Sequence, residues 1–141
     1  MPYEFLPHTA DILVQLRSAT WEGVLCDATD VVRLLTVGEA PGGGGGRSSQ
    51  SKAVQLTVEE PAELLFMYLR ELLYWFESDG FVPTALEAKV VTPTELQGRV
   101  WGEPFDPTRH GVQPEIKAVT RHALLASPVS EGWRAEVLFD V

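Results

Sequence analysis

Two carboxylates near opposite ends of the chain, Asp11 and Asp140, are the side chains whose type and setting point most directly to chemistry. Asp140 is followed only by Val141, so its carboxylate adjoins the terminal carboxylate of Val141. The run 133–140 alternates, with Trp133, Ala135, Val137 and Phe139 on one face of a strand and Asp140 on the other. Asp11 stands at the mouth of a second such run, residues 12–17, in which Ile12, Val14 and Leu16 alternate with Gln15 and Arg17. If the two strand ends meet, Asp11, Asp140 and Val141 make a set of hard oxygen donors, suited to calcium, magnesium or manganese rather than zinc. The same residues also admit a structural arrangement in which Asp11 caps its turn and Asp140 pairs with a basic residue such as Lys117; spacing does not separate the two.

Of the three histidines, His8 lies beside Asp11, His110 in a Pro- and Gly-rich loop at 102–111, and His122 in a strand-like run at 116–125. Lys117 and His122 are five apart, so a regular strand points them to opposite faces, and only a bulge brings both to one pocket. Lys117 shares parity with Val119 and Arg121, which makes Lys117 the better candidate for direct participation, with His8 and His122 as further support. Zinc-protease and serine-hydrolase signatures are missing: there is no HExxH, no GxSxG, no spaced Cys/His cluster and no serine on a nucleophile elbow. Two rival functions use the same residues. A metal-dependent phosphohydrolase would hold its metal on Asp11 and Asp140 and move a proton with His8 or His122. An RNA-binding chaperone or modification helper would need Arg99, Arg109, Lys117 and Arg121 as a local basic patch.

At 141 residues, 45% hydrophobic and 22% charged, the chain suits one domain spanning residues 1–141 with a single core. Its 11 basic and 20 acidic residues leave a net charge of −9, which opposes unassisted binding to DNA or RNA phosphates and favours a basic or metal-bearing protein partner. The one cysteine, Cys26, excludes an internal disulfide framework and fits a reducing cytoplasm. No stretch reads as a signal peptide or reaches the ~18 to 20 apolar residues that span a bilayer, so the expectation is a soluble cytoplasmic protein without membrane contact.

The elements that must position the site follow from periodicity. After a short extended piece at 3–6 and a turn at 7–11 comes the strand 12–17. Thr20 caps a helix to about residue 36, with Trp21, Val24, Leu25, Ala28, Val32 and Leu35 on its apolar face and Glu22, Asp27 and Asp30 opposite. Residues 38–51, with five consecutive glycines, form a flexible Gly/Ser-rich loop that lacks the GK[ST] ending of a phosphate loop. A short strand at 54–58 precedes a core helix at 61–78, opened by Pro61 and closed by Asp79 and Gly80. Its extra aromatics, Tyr74 and Trp75, read as core or edge packing rather than as a partner patch. Four strands follow, 85–91, 95–101, 116–125 and 133–140, paired as two hairpins around a Pro- and Gly-rich loop at 102–111. The order predicts an α+β two-layer sandwich, its two helices packed on one face of a mixed, largely antiparallel sheet.

These residues together resemble the archease family over essentially the whole chain. The resemblance rests on four ordered motifs: His8-Thr9-Ala10-Asp11, Glu71-Leu72-Leu73-Tyr74, Ile116-Lys117-Ala118-Val119-Thr120 followed by His122, and the closing Phe139-Asp140-Val141. The chain departs from the family pattern at Pro7, where aspartate is common, at Leu13, where glycine often follows, and at Arg121, where an aromatic residue is more usual. The resemblance implies a small cytoplasmic, non-catalytic accessory protein of the GTP-dependent RNA ligase of tRNA splicing and RNA repair. Such a protein promotes the ligase's guanylylation and multiple turnover and meets RNA only through the ligase. It further implies a divalent-metal site at Asp11, Asp140 and Val141, with Lys117 near it.

Overall fold

The computed structural model describes residues 3–6, 11–38, 49–107, 116 and 118–141. Over these the elements run β1 (Tyr3–Leu6), β2 (Asp11–Ser18), α1 (Trp21–Val37), β3 (Gln50–Thr57), α2 (Pro61–Asp79), β4 (Phe81–Thr92), β5 (Glu95–Pro104), β6 (Ala118–Val129) and β7 (Gly132–Asp140). Both helices carry the stops and starts that the sequence announces. Thr20 is extended, and its Oγ1 accepts from the Gly23 N–H at 3.0 Å, satisfying one of the orphan donors of α1. Pro61 opens α2, and Gly80 closes it in the left-handed conformation, its N–H reaching the Phe76 carbonyl at 2.9 Å. Lys52 of β3 then pins that helix end: its ammonium lies 2.7 Å from Asp79 Oδ2 and over the rings of Trp75 and Phe81.

The α+β architecture is as expected, and its strands divide between two sheets where the sequence suggests one mixed sheet. One sheet has the order β1-β2-β7-β6, the other β3-β5-β4, and each pairing is antiparallel. Alternation tells which side of a strand is buried but not which distant strand it meets. The hairpins β4–β5 and β6–β7 are local, closing on Pro93-Thr94 and Ser130-Glu131, whereas β7 leaves its hairpin to pair with β2 from the other end of the chain.

One apolar cluster joins both sheets and both helices. Val14 and Leu16 of β2, Val137 and Phe139 of β7, and Leu96 and Val100 of β5 are buried against Val24, Leu25 and Val32 of α1 and Leu65, Leu69 and Leu72 of α2. Inside this cluster Thr29 and Tyr68 link the helices, with Thr29 Oγ1 and Tyr68 Oη 2.6 Å apart. Thr29 also donates to the Leu25 carbonyl at 2.9 Å, which assigns the Tyr68 hydroxyl as the donor to Thr29.

Several boundaries move. Gln50 and Ser51, expected in the flexible loop, belong to β3, held in register by Gly102 and Trp101 of β5; residues 39–48 of that loop lie outside the described residues. β4 starts at Phe81 rather than residue 85, tolerating Pro83 at a register irregularity. Asp27 and Asp30, expected on the wet side of α1, are half-buried. Trp75 joins the core whereas Tyr74 stands out at 61% exposure. Among the described residues no helix is long and apolar enough to cross a membrane.

Candidate functional site

The pairing of β2 with β7 brings Asp11 and Asp140 together. Their Cα positions are direct cross-strand partners, followed by Ile12 with Phe139, Leu13 with Leu138 and Val14 with Val137. Partners in an antiparallel pair project from the same face. Val14, Leu16, Val137 and Phe139 fill the core from one face, which leaves Asp11 and Asp140 on the opposite face at the end of the sheet, beside the pair Leu13 and Leu138. Farther along that face Glu136 accepts from Gln15 Nε2 at 3.3 Å and pairs with Arg134 at 2.6 Å. Across β7, Asp140 also faces Ala118, the first residue of β6. Both acids and Val141 are half-buried.

Two carboxylates placed directly opposite each other repel, and strand pairs normally avoid this. No ion pair to another described residue compensates Asp140. Such a pair fits a hard divalent cation: it supplies oxygen donors only, at a sheet end, with Val141 adjoining. Among the described residues no three His, Cys, Asp or Glu side chains converge on a metal-holding position, so the two aspartates by themselves could supply only part of a ligand set.

The other expected participants divide between described and undescribed residues. His8, His110 and Lys117 lie outside the described residues. His122 is exposed, and it sits within the kind of bulge that the spacing from Lys117 required. Thr120 faces Leu138 and Leu125 faces Glu136, so residues 121–124 stand against the single residue Val137. The bulge is closed by a hydrogen bond from the His122 N–H to Thr120 Oγ1 at 3.2 Å and by Ala123 at φ 61°. Arg99, a member of the candidate basic patch, lies on the other sheet and donates to Ser51. Arg121, another member, is paired with Glu63.

The sequence does not announce what lies beside the start of β6. A groove of about 360 Å³ runs between α2 and the start of β6, lined by Arg70, Glu71, Leu73, Tyr74, Ala118 and Val119. It takes in the first and last residues of the Glu71–Tyr74 motif and shares Ala118 with the Asp140 row. The available signal was Tyr74 lying three and four residues from the charged Glu71, Arg70 and Glu77 on α2. A second acidic group lies on α1, away from this row. Burial, then the neighbouring Asp30 charge, pushes the Asp27 carboxyl up to about 6, and burial also raises Asp30 against the lowering effect of Arg33. The Cys26 thiol beside them is pushed up to about 11 by burial and then by the charges of Glu22, Asp27 and Asp30, which leaves it protonated and a poor nucleophile at neutral pH.

With this geometry established, comparison places the chain among known proteins. The archease protein family model matches residues 3–141. The protein archease of Methanopyrus kandleri is 31% identical over 147 residues, covering 100% of each chain. The solution structure of protein 1598 from Methanobacterium thermoautotrophicum superposes with a TM-score of 0.70 at 21% identity, covering 99% of both chains. The crystal structure of an archease from Thermotoga maritima gives 0.64 at 21% identity over 96% of this chain and 94% of that one. At these identities the two solved structures speak for the fold alone. The chain belongs to the archease family.

Proposed function

We propose that this protein is a non-catalytic, metal-binding accessory protein of a GTP-dependent RNA ligase in the cytoplasm. It activates the ligase by promoting guanylylation and repeated turnover in tRNA splicing and RNA repair. Family membership supports the accessory role. The observation that carries the metal reading is the direct pairing of Asp11 with Asp140 across β2 and β7. Asp11, Asp140 and Val141 would hold a calcium, magnesium or manganese ion, which when bound would offset the acid pair and polarise phosphate oxygens. The chain's own part is positional. The β2–β7 ladder fixes the two acids before the partner arrives, so little ordering entropy is lost on docking. A partial ligand set leaves coordination positions for the ligase or its GTP. Lys117, and His8 or His122, stand as candidates to steady the acids or the triphosphate.

The test is ligase guanylylation with wild-type, Asp11→Asn and Asp140→Asn proteins, each checked for folding. Loss of at least tenfold in stimulation is expected from either variant; unchanged stimulation by folded variants sinks the role. Two residues appended after Val141 should lower divalent-ion affinity more than two placed before Met1. Phosphate-ester turnover by the protein alone would instead support the hydrolase.

A further inference from the structure

An edge strand ordinarily leaves its exposed side chains to water. Arg121, the first residue of the β6 bulge, is 57% exposed at its side chain and is nonetheless engaged. Its Nη2 donates to Glu63 Oε1 at 2.6 Å and its Nε to Glu63 Oε2 at 3.2 Å, a two-pronged grip on one carboxylate. The same guanidinium lies 4.1 Å from the centroid of the Phe66 ring. Glu63 and Phe66 are three apart on α2, so one side chain grips the first two turns of the helix. Arg121 in turn holds the Glu63 carboxyl below its usual range, chiefly through this hydrogen bond, so the clamp persists into mild acid.

What the clamp holds is short. Upstream of the bulge β6 keeps three pairs with β7: Ala118 with Asp140, Val119 with Phe139 and Thr120 with Leu138. A slip of one residue there would turn Val119, which is 7% exposed, out of the core and set another residue beside Asp140. Three pairs ending in a bulge offer little resistance to such a slip. The helix does, because α2 packs on β6 and is itself anchored in the core by Leu65, Leu69 and Leu72.

We propose that Arg121 is a positioning residue for the carboxylate pair: by fastening the β6 bulge to Glu63 and Phe66 of α2, it fixes the register of β6 against β7 and so which residues flank Asp140 on the side away from β2, whose own ladder sets Asp140 opposite Asp11. This rests on the metal reading given above. The planar guanidinium is required, because an ammonium at the same place keeps the charge and loses both the fork and the stacking. An ordinary exposed ion pair would contribute little and matter only to stability.

Two measurements on the full chain test this: Mn²⁺ titration, and amide hydrogen exchange in metal-free protein at whichever opposed pair, Val119 with Phe139 or Ala118 with Asp140, is bonded across β6 and β7. The proteins compared are wild type, Arg121→Lys, Arg121→Ala and the swapped pair Arg121→Glu with Glu63→Arg. The expected result is Mn²⁺ affinity about tenfold weaker in both single variants, on the scale of lost outer partners at metal sites. Exchange should be faster at both amides while the melting temperature of Arg121→Lys moves by only a few degrees. The swapped pair should recover most of the affinity and the slow exchange. Wild-type affinity and exchange in Arg121→Ala would overturn the proposal, as would losses matched by a collapse in melting temperature that the swap does not repair. If wild-type protein binds no Mn²⁺, the metal reading fails by itself, and exchange decides the clamp: unchanged rates overturn it, and faster rates restored by the swap uphold it.

Discussion

Asp27 shows how far a residue's chemistry departs from its place in a helical pattern. Periodicity sets it opposite the apolar face of α1, yet it is half-buried with its carboxyl raised to about 6. The unfolded chain titrates it near the ordinary aspartate value of 3.8, so between these two values the folded state binds the proton more tightly. Stability therefore falls as pH rises from about 4 to 6, and the penalty is full above 6. Asp27→Asn should raise the melting temperature at pH 8 by about 3 °C, equivalent to about 1 kcal/mol after allowing for the open side of the group. The gain should shrink to nothing near pH 4. Thermal melts of both proteins across that range check it; a gain that persists at pH 4 would mean that packing, not charge, is responsible.

Between elements, the hydroxyl chain from Tyr68 through Thr29 to the Leu25 carbonyl makes an asymmetric prediction. Thr29→Val strands the fully buried Tyr68 hydroxyl and should cost about 2 kcal/mol, whereas Tyr68→Phe leaves Thr29 bonded to Leu25 and should cost 1 kcal/mol or about that. The double variant should be less destabilised than the sum, which denaturant unfolding resolves. The β6–β7 turn supplies another test. Gly132 has φ 140°, and a Cβ there would collide with the Ser18 carbonyl oxygen where β2 ends. Gly132→Ala should destabilise by roughly 2 kcal/mol or more, read as a lowered urea midpoint.

These elements also show what a sequence declares. The α1 and α2 limits were legible because Thr20, Pro61 and Gly80 act locally, within a turn of the residues they cap. The buried faces of β2 and β7 were legible from alternation, and with them the placement of Asp11 and Asp140 on the opposite faces. Their meeting was an argument about strand ends that the register bears out. The division into two sheets was not legible, because it depends on β7 choosing β2 across the length of the chain. Nor was the bulge at 121–124. It is fixed by Arg121 reaching Glu63 and Phe66 on another element, and neither residue carries a local sign of that.

At the scale of the molecule the governing quantity is charge. The chain carries a net charge of −9 around the Asp11 and Asp140 row, and among the described cations Lys52 is paired with Asp79, Arg121 with Glu63 and Arg134 with Glu136. A partner that presents metal ions or a basic mouth would be drawn in by this field from beyond contact range, whereas free RNA would be repelled. Salt acts on the two cases differently. Raising ionic strength from about 0.05 to 0.5 M shortens the screening length severalfold, so the association rate with the ligase should fall by about tenfold or more while the dissociation rate changes little. Direct RNA affinity should stay negligible throughout. Stopped-flow association with the ligase, set beside RNA titrations at matched salt, separates the outcomes. A salt-independent association rate would show that long-range charge has no part in docking. Steeply salt-dependent binding of RNA by the protein alone would move the function towards the RNA-binding alternative.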